Sequence, residues 1–170
     1  MILSSQSIRL HNLVTPCEDR GVFRGMSYGL SACGYDVRAD LMHIGDPLVN
    51  SGVRRTVTTP DGPGVLLEPG QSILVPLDEY FQLPPNVAGL VKDKSTWARR
   101  GLLVNQAVLE PGWSGHGTVR VVNVGTEDLS IIDREPIAQV VFYWLDEPSS
   151  QPYTGKYQNQ ERGPQGPRYE

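Results

Sequence analysis

The chain has 170 residues, of which 39% are hydrophobic, and a formal net charge of -4 at pH 7. An acidic domain lacks the basic surface of a general nucleic-acid-binding protein, and no run of 18 apolar residues that could cross a membrane occurs. Two cysteines without a CxxC spacing are too few for a disulfide framework or a typical metal site. We therefore expect one soluble, cytoplasmic domain with a small-molecule partner, and neither nucleic acid nor membrane as partner.

The sequence favours short strands separated by turns over helices. Alternating apolar residues predict strands at 35–41, 64–67, 72–77, 87–91, 102–108, 118–124, 129–132 and 137–145. Helix signals are confined to a segment near the start, capped by Ser4 or Ser5, and to one or two turns at 95–101, capped by Ser95 and ended by Gly101. Many short strands at close spacing predict an all-β barrel or jelly roll with one or two short helices.

The composition changes at the C-terminal end of the last predicted strand. Residues 146–170 are rich in Pro, Gln, Gly and Tyr and show no hydrophobic period. Such a segment cannot build a core of its own. We therefore divide the chain into a β domain, 1–145, and a C-terminal tail, 146–170. The tail is either a disordered end or a flap that orders over a ligand.

Cations and hydroxyls are concentrated around the second predicted helix. The segment VKDKSTWARRG at 91–101 places Ser95 and Thr96 at the helix start, between Lys94 and Arg99. Backbone N–H groups, hydroxyls and a guanidinium can together bind several phosphate oxygens. The segment is therefore a candidate phosphate cradle, and the alternative is a solvated basic turn.

Gln139 is a polar residue inside an otherwise apolar predicted strand. Its amide both donates and accepts hydrogen bonds, which suits the edge of a nucleobase, although an amide satisfied within the core fits equally well. The three histidines are scattered, and neither HxE nor PCxxC occurs, so we expect no zinc-dependent deaminase site. The GxxxxGKS/T and GxGxxG motifs are also missing, which argues against the common NTPase and dinucleotide-binding modes.

Four motifs, in order and spacing, resemble the dCTP deaminase branch of the dCTP deaminase/dUTPase family. They are SYGLSACGYDVR, DKSTWARRGLLVNQAVLEPGWSGH, PIAQVVF and QPYTGKYQNQERGP, and they span nearly the whole chain. The resemblance implies a distorted β jelly-roll of the dUTPase type that assembles as a homotrimer, with active sites between subunits. It also implies that dCTP or dUTP binds together with Mg²⁺, which is held through the triphosphate.

The resemblance also assigns roles to individual residues. It implies that the triphosphate is bound by Lys94, Ser95, Thr96 and Arg99. It places Gln139 where the family contacts the nucleotide. The tail residues that would close over the phosphates are Tyr153, Lys156, Tyr157 and Gln160. Glu110 falls at the acidic position before the Pro-Gly-Trp turn, which is the water-activating Asp in dUTPases. The candidate catalytic residues are then Ser95, Glu110 and Arg120.

Arg120 departs from the family pattern. Deaminases of this family usually read Thr-Leu-Glu-Leu after the Pro-Gly-Trp turn, and that Glu activates water and shuttles protons at the cytosine ring. Here residues 118–121 read Thr-Val-Arg-Val. A guanidinium carries only donors and stays protonated, so Arg120 cannot accept a proton from water or return one to ammonia. We therefore expect deamination by the usual mechanism to be crippled.

Three interpretations of Arg120 remain open. In the first, which we favour, the protein hydrolyses the triphosphate of dUTP or dCTP, as dUTPases do without this Glu, and Glu110 orients the water. In the second, it binds a nucleotide without turnover. In the third, Arg120 points away from the pocket and another acid supports deamination. The nearby acids in the sequence are Glu127, Asp128, Asp133 and Glu135.

Overall fold

The computed structural model describes residues 1–45 and 55–169, which form twelve short strands, two short α-helices and one 3-10 turn. In chain order these are α1 Ser5–Leu10, β1 Val14–Thr15, β2 Gly21–Phe23, β3 Met26–Ser31, β4 Gly34–Arg38, the 3-10 turn Leu41–His43, β5 Arg55–Thr59, β6 Gly62–Leu67, β7 Ser72–Gln82, β8 Val87–Asp93, α2 Ser95–Ala98, β9 Leu102–Asn105, β10 Ser114–Asn123, β11 Leu129–Ile132 and β12 Pro136–Trp144. The predicted all-β class with short helices is confirmed.

Within the described ranges the strands form three sheets around a shared core. The strand orders are β1-β7-β10-β9, β11-β6-β5 and β2-β3-β4-β12-β8, and all paired strands are antiparallel. Trp97, Tyr35, Phe81 and Phe142 are the bulkiest fully buried side chains. The core therefore draws on both of the larger sheets and on α2, which fixes the helix against the barrel.

Several predicted boundaries are wrong, among them those of β4, β7, β9, β10 and α2. The strand predicted at 102–108 ends at Asn105, because pairing of β9 with β10 runs only from Leu102 to Asn105. Ser95 does not cap α2, since Lys94 occupies the N-cap position and makes no capping side-chain hydrogen bond. The first helix does begin at a serine cap, where the Ser4 hydroxyl accepts from the backbone N–H of Ser7 at 3.4 Å.

Four strands were not predicted from the sequence, namely β1, β2, β3 and β5. β1 and β2 have two and three residues, too few for an alternating pattern to be recognised.

In the part of the chain that the structure describes, no helix has the length and hydropathy needed to cross a membrane.

A buried ion pair connects the two larger sheets. The Nε of Arg38, on β4, donates to Oε1 of Glu79, on β7, at 2.9 Å, and the Arg38 backbone N–H donates to Oε2 at 2.9 Å. The Arg38 and Glu79 side chains are 5% and 0% exposed. Glu18 accepts from the other two guanidinium nitrogens at 2.9 and 3.2 Å. Loss of Arg38 would leave the Glu79 carboxylate, which is 0% exposed, without the cation that pairs with it.

We predict that Arg38→Gln lowers the free energy of unfolding by about 3–5 kcal/mol, the usual cost of leaving one member of a buried pair, here Glu79, without its partner. Arg9→Gln is the matched control, because Arg9 pairs with Asp19 at the surface and its side chain is 50% exposed. The control should cost no more than about 1 kcal/mol. Urea unfolding at one fixed protein concentration measures both, and equal small losses would contradict the prediction.

Candidate functional site

Most of the sequence-predicted site residues line two separate cavities of the described chain. The first, here the aromatic cavity, has a volume of about 540 Å³ and is lined by Leu74, Asn105, Gln106, Ala107, Val108, Leu109, Glu110, Trp113, Gly117, Thr118, Arg120, Tyr153, Tyr157, Gln160 and Gln165. The second, here the ion-pair cavity, has a volume of about 480 Å³ and is lined by Arg20, Ser27, Ser31, Ala32, Asp36, Asp93, Lys94, Ser95 and Gln139. The two linings share no residue.

Arg120 lies in the wall of the aromatic cavity. Its neighbours on β10, Val119 and Val121, are fully buried, and the two-residue period of a strand turns Arg120 to the opposite, exposed face. Its Nη1 donates to the Ser72 hydroxyl on β7 at 3.1 Å. Thr118 lies on the same face of β10 and also lines the cavity. The guanidinium is therefore oriented by the protein and accessible to a ligand.

Glu110 is exposed at the edge of the same cavity. The preceding residue, Leu109, is held by a pair of 2.9 Å backbone hydrogen bonds to Gly89, and the Glu110 carbonyl accepts from the Trp113 backbone N–H at 3.0 Å. Among the described residues that line the aromatic cavity, Glu110 is the one carboxylate. A water or metal-bound ligand near Arg120 would therefore meet a single acid.

The other acids that were considered from the sequence lie elsewhere. Oδ1 of Asp133 accepts from the Leu41 backbone N–H at 2.7 Å, and Oε2 of Glu135 accepts from that of Ile132 at 2.8 Å. Glu127 and Asp128 follow β10 in the turn and line neither cavity. None of these four carboxylates lines the aromatic cavity beside Arg120.

The C-terminal tail packs along the start of β10. Trp113 donates its indole N–H to the Tyr157 carbonyl at 2.7 Å, and the Ser114 backbone N–H donates to the Gln158 side chain at 2.9 Å. Gln160 forms a parallel bridge with Gly115. These contacts favour the ordered alternative for the tail, and we name residues 153–165 the strap.

The strap contributes three of its predicted binding residues to the aromatic cavity. Tyr153, Tyr157 and Gln160 line it, whereas the ammonium of Lys156 lies outside, 6.0 Å from the Tyr157 ring centre. The Gln160 amide nitrogen donates to the His116 carbonyl at 2.7 Å and to the Thr118 hydroxyl at 2.8 Å. Both amide protons are thus used to hold the strap on β10.

His116 lies beneath the strap, and the strap residue Arg162 affects its pKa. Its ring contacts Tyr80 edge-on, and its Nδ1 is 3.3 Å from the Leu77 carbonyl. Partial burial lowers the pKa of His116, and the nearby cation of Arg162 lowers it further. The imidazole is therefore biased towards the neutral form while the strap is docked.

Lys94 is the centre of the second cavity, but its charge is already paired. Its ammonium lies 2.7 Å from Oδ2 of Asp36 and donates to the Ser27 hydroxyl at 3.1 Å. Both members of the pair are less than 10% exposed. The cavity lining contains two cations, on Arg20 and Lys94, and two anions, on Asp36 and Asp93. This lining is therefore balanced in charge rather than strongly cationic.

The remaining cradle residues differ in their placement. Gln139 lines the ion-pair cavity and donates to the Ser31 hydroxyl at 2.9 Å, and Ser95 lines it as well. Thr96 and Arg99 are exposed and line neither cavity. Because α2 has only four residues, its N-terminus presents a weak helix dipole to a phosphate. The structure therefore gives this segment exposed hydroxyls and a free-standing guanidinium rather than a closed cradle.

Several cavity residues were not singled out from the sequence, including Trp113, Thr118 and Ser27. Alternation along β10 places Thr118 on the same face as Arg120, so the strand pattern carried that signal. The Ser27 contact joins β3 to α2 across 67 residues of sequence, and no local pattern indicates it.

Comparisons with known proteins identify the family. A family model described as dCTP deaminase-like matches residues 29–145. A protein named dCTP deaminase from Gemmatimonas aurantiaca is 37% identical over 163 residues, which cover 89% of each chain. A second protein of that name, from Campylobacter fetus subsp. fetus, is 34% identical over 170 residues, which cover 94% of this chain and 91% of the relative.

Solved structures show the same fold at lower identity. The 2'-deoxycytidine 5'-triphosphate deaminase from Agrobacterium tumefaciens has a TM-score of 0.61 at 18% identity, covering 83% of this chain and 48% of that chain. A mutant dUTPase of phage 80alpha has a TM-score of 0.51 at 14% identity, covering 84% and 96%. The predicted dUTPase-like fold is confirmed. The match over residues 29–145 and the identity to curated relatives over most of the chain show that the chain belongs to the dCTP deaminase-like family.

Proposed function

We propose that this chain is an enzyme that acts on dCTP or dUTP. Its curated relatives are named dCTP deaminase, and the family model carries the same description. The aromatic cavity supports a nucleotide ligand, because rings from Trp113, Tyr153 and Tyr157 line it together with side-chain amides. Apolar walls with a few convergent polar groups are typical of small-molecule sites.

The active form in this proposal is a homotrimer with sites between subunits. Within one subunit, Glu110 and Arg120 line one cavity, whereas Lys94 and Ser95 line the other. A nucleoside triphosphate needs both a base pocket and phosphate ligands. Joining the aromatic cavity of one subunit to the ion-pair cavity of the next would bring the two sets together, which agrees with the arrangement that the family resemblance implies.

The proposed reaction is hydrolysis of the triphosphate, and the position of Arg120 in the aromatic cavity is the observation that carries it. A guanidinium cannot serve as the proton shuttle that deamination of cytosine requires. Hydrolysis at phosphorus needs an oriented water instead, and Glu110 is the exposed carboxylate available in the same cavity. Ser95 and Arg99 would bind phosphate oxygens as hydroxyl and guanidinium donors.

Mg²⁺ enters the proposal with the triphosphate. Of the described residues, no group of three or more His, Cys, Asp or Glu side chains could hold a metal ion. Asp36 is paired with Lys94, and Asp93 accepts from the Val104 backbone N–H at 2.6 Å. This donor set fits a cation that takes most of its ligands from phosphate oxygens and water. When bound, Mg²⁺ would neutralise part of the phosphate charge.

Arg120 also bears on the base. Uracil presents a carbonyl oxygen where cytosine presents an amino group, and a guanidinium supplies donors only. Nη1 is engaged by Ser72, and the remaining N–H groups can pair with acceptors of a ligand but not with its donors. We therefore propose dUTP as the better substrate of the two.

Deamination of dCTP is the second candidate, and the name of the curated relatives favours it. It would need an acid other than the missing Glu within reach of the base. Glu110 is the available carboxylate in the described lining of the aromatic cavity, one methylene longer than Asp and placed before the turn. Products separate the two reactions: hydrolysis releases a nucleoside monophosphate and diphosphate, whereas deamination releases ammonia and retains the triphosphate.

We predict that the protein, incubated with Mg²⁺ and each deoxyribonucleoside triphosphate, converts dUTP to dUMP and diphosphate. Glu110→Gln should slow this at least about 10²-fold, since it keeps the side-chain size but removes the charge that orients water. Glu127→Gln is the control, because Glu127 is exposed and lines neither cavity. Chromatography of the products decides; ammonia from dCTP as the main product would overturn the proposed reaction.

A gain of deamination tests the role assigned to Arg120. Arg120→Glu restores a carboxylate in a strand position flanked by buried Val119 and Val121, and we expect ammonia release from dCTP to rise by about 10²-fold or more. Stability should change little, because the Arg120 side chain is exposed and bonded to the Ser72 hydroxyl rather than to a buried acid. Arg120→Gln is the matched control without a carboxylate and should release no additional ammonia.

The phosphate role of the exposed Arg99 is tested by binding. Arg99→Ala should weaken affinity for a non-hydrolysable dUTP analogue with Mg²⁺ by about 1.5–3 kcal/mol, the scale of charge-assisted hydrogen bonds. Arg55→Ala removes another exposed arginine, one that lines neither cavity, and should leave affinity unchanged. Isothermal titration calorimetry measures both, and equal affinities for the two variants would reject Arg99 as a phosphate ligand.

A further inference from the structure

An arginine of the strap inserts between two buried carboxylates of the body. Nη1 of Arg162 lies 2.9 Å from Oδ2 of Asp40 and 3.0 Å from Oδ1 of Asp78, and Nη2 lies 3.4 Å from the Asp78 carbonyl. The carboxylates are 5% and 7% exposed, whereas the Arg162 side chain is 43% exposed. A partly exposed arginine of the strap thus pairs with two buried acids of the β domain.

The two acids depend on this cation unequally. Asp78 also contacts Arg134 at 2.9 Å and Arg38 at 3.5 Å. Asp40 is bound by Nδ1 of His43 at 2.7 Å, and among the described residues Arg162 is the one arginine or lysine in contact with it. A buried carboxylate without a permanent cation is costly, so Asp40 favours the docked position of Arg162.

The strap connects the ion pairs of Arg162 to the wall of the aromatic cavity. The Thr118 hydroxyl accepts from the Gln160 amide at 2.8 Å and from the Gln165 backbone N–H at 3.4 Å, so both sides of the Arg162 turn meet one hydroxyl of β10. Gly163, with φ +98°, allows the sharp turn that follows Arg162. Holding Arg162 therefore fixes the position of Gln160, two residues earlier, against the cavity wall.

We propose that Arg162 is a positioning residue, a clasp that holds the second half of the strap closed and keeps Gln160 in the aromatic cavity. The first half has separate anchors. The Tyr153 backbone N–H donates to the Pro111 carbonyl at 2.8 Å, and Gln158 bonds both Ser114 and Gly112. Loss of the clasp should therefore release residues 160–165 without detaching the first half of the strap.

Residue-resolved hydrogen exchange of the intact chain tests the clasp without any nucleotide. The His116 backbone N–H donates to the Gln160 carbonyl at 2.9 Å and reports the second half, whereas the Tyr153 N–H reports the first. Arg162→Gln should speed exchange at His116 about 10-fold or more and leave Tyr153 unchanged. Arg162→Lys keeps the positive charge but not the planar guanidinium. Its exchange rate at His116 should lie between those of the unmodified protein and Arg162→Gln.

Arg168→Gln is the matched control, because the hydrogen bonds of Arg168 to described residues stay within the tail, and its side chain donates to the Lys156 carbonyl and to the Gln165 side chain. It should leave exchange at His116 unchanged. If Arg162→Gln does not fold, the double variant Asp40→Asn with Arg162→Gln removes the unpaired charge, and His116 should still exchange fast. Unchanged exchange at His116 in the folded variants overturns the clasp.

A second measurement rests on the proposed function and separates the two hypotheses. With dUTP and Mg²⁺, Arg162→Gln should raise KM about tenfold while kcat changes no more than about threefold, because the clasp orders a binding segment rather than the reacting water. An equal loss in kcat would overturn this positioning role. If no variant, nor the unmodified protein, turns over any nucleotide while exchange at His116 responds as expected, the proposed function fails and the clasp stands.

Discussion

Two adjacent carboxylates in the middle of β7 set the constraint on which much of this structure depends. Asp78 and Glu79 are 5% and 0% exposed, so β7 buries two consecutive acids. Withdrawing a carboxylate from water is costly unless a cation meets it. The cations come from distant segments: Arg38 joins β4 to Glu79, while Arg134 and Arg162 bring the turn before β12 and the strap to Asp78. Placement of sheets and tail is thus coupled to charge neutralisation at one strand.

β10 connects the core to the candidate site. It pairs with β7 on one side and β9 on the other, so its register is fixed twice, and a slip by one residue would turn every side chain to the wrong face. The inward face buries Val119 and Val121 in the core. The outward face presents Thr118, which receives the strap, and Arg120, which faces the cavity. Because side chains alternate along β10, one face of the strand packs in the core, and the other face holds the tail and lines the cavity.

The sequence predicts what depends on local period and turn chemistry, and it misses what depends on topology. Alternation predicted the central strands, but it left the direction of Arg120 open. It did not reveal that Lys94 is paired with Asp36, 58 residues away, nor that Arg162 reaches Asp40 across 122 residues. Such contacts exist only after the sheets have assembled, because nothing in the neighbouring sequence specifies them. The wrong capping assignment at Ser95 has a similar origin: the chain enters α2 directly from β8, whose pairing with β12 fixes the backbone up to Asp93.

The charge-balanced ion-pair cavity explains why one subunit is a poor triphosphate site on this proposal. Lys94 is held by Asp36, whose carboxylate would repel a phosphate that approached the ammonium closely. The other two predicted phosphate-binding cations, Arg99 and Lys156, are exposed. Lys156 does not line the aromatic cavity of its own chain, so in the proposed assembly it would be available to a ligand shared with a neighbour. A strap held by Arg162 would then have two roles. Gln160 would complete the aromatic cavity of its own chain, and Lys156 would be presented to the neighbouring chain. On this proposal the binding energy for the triphosphate would arise where chains meet, because Glu110 and Arg120 line one cavity of the chain and Lys94 and Ser95 line the other.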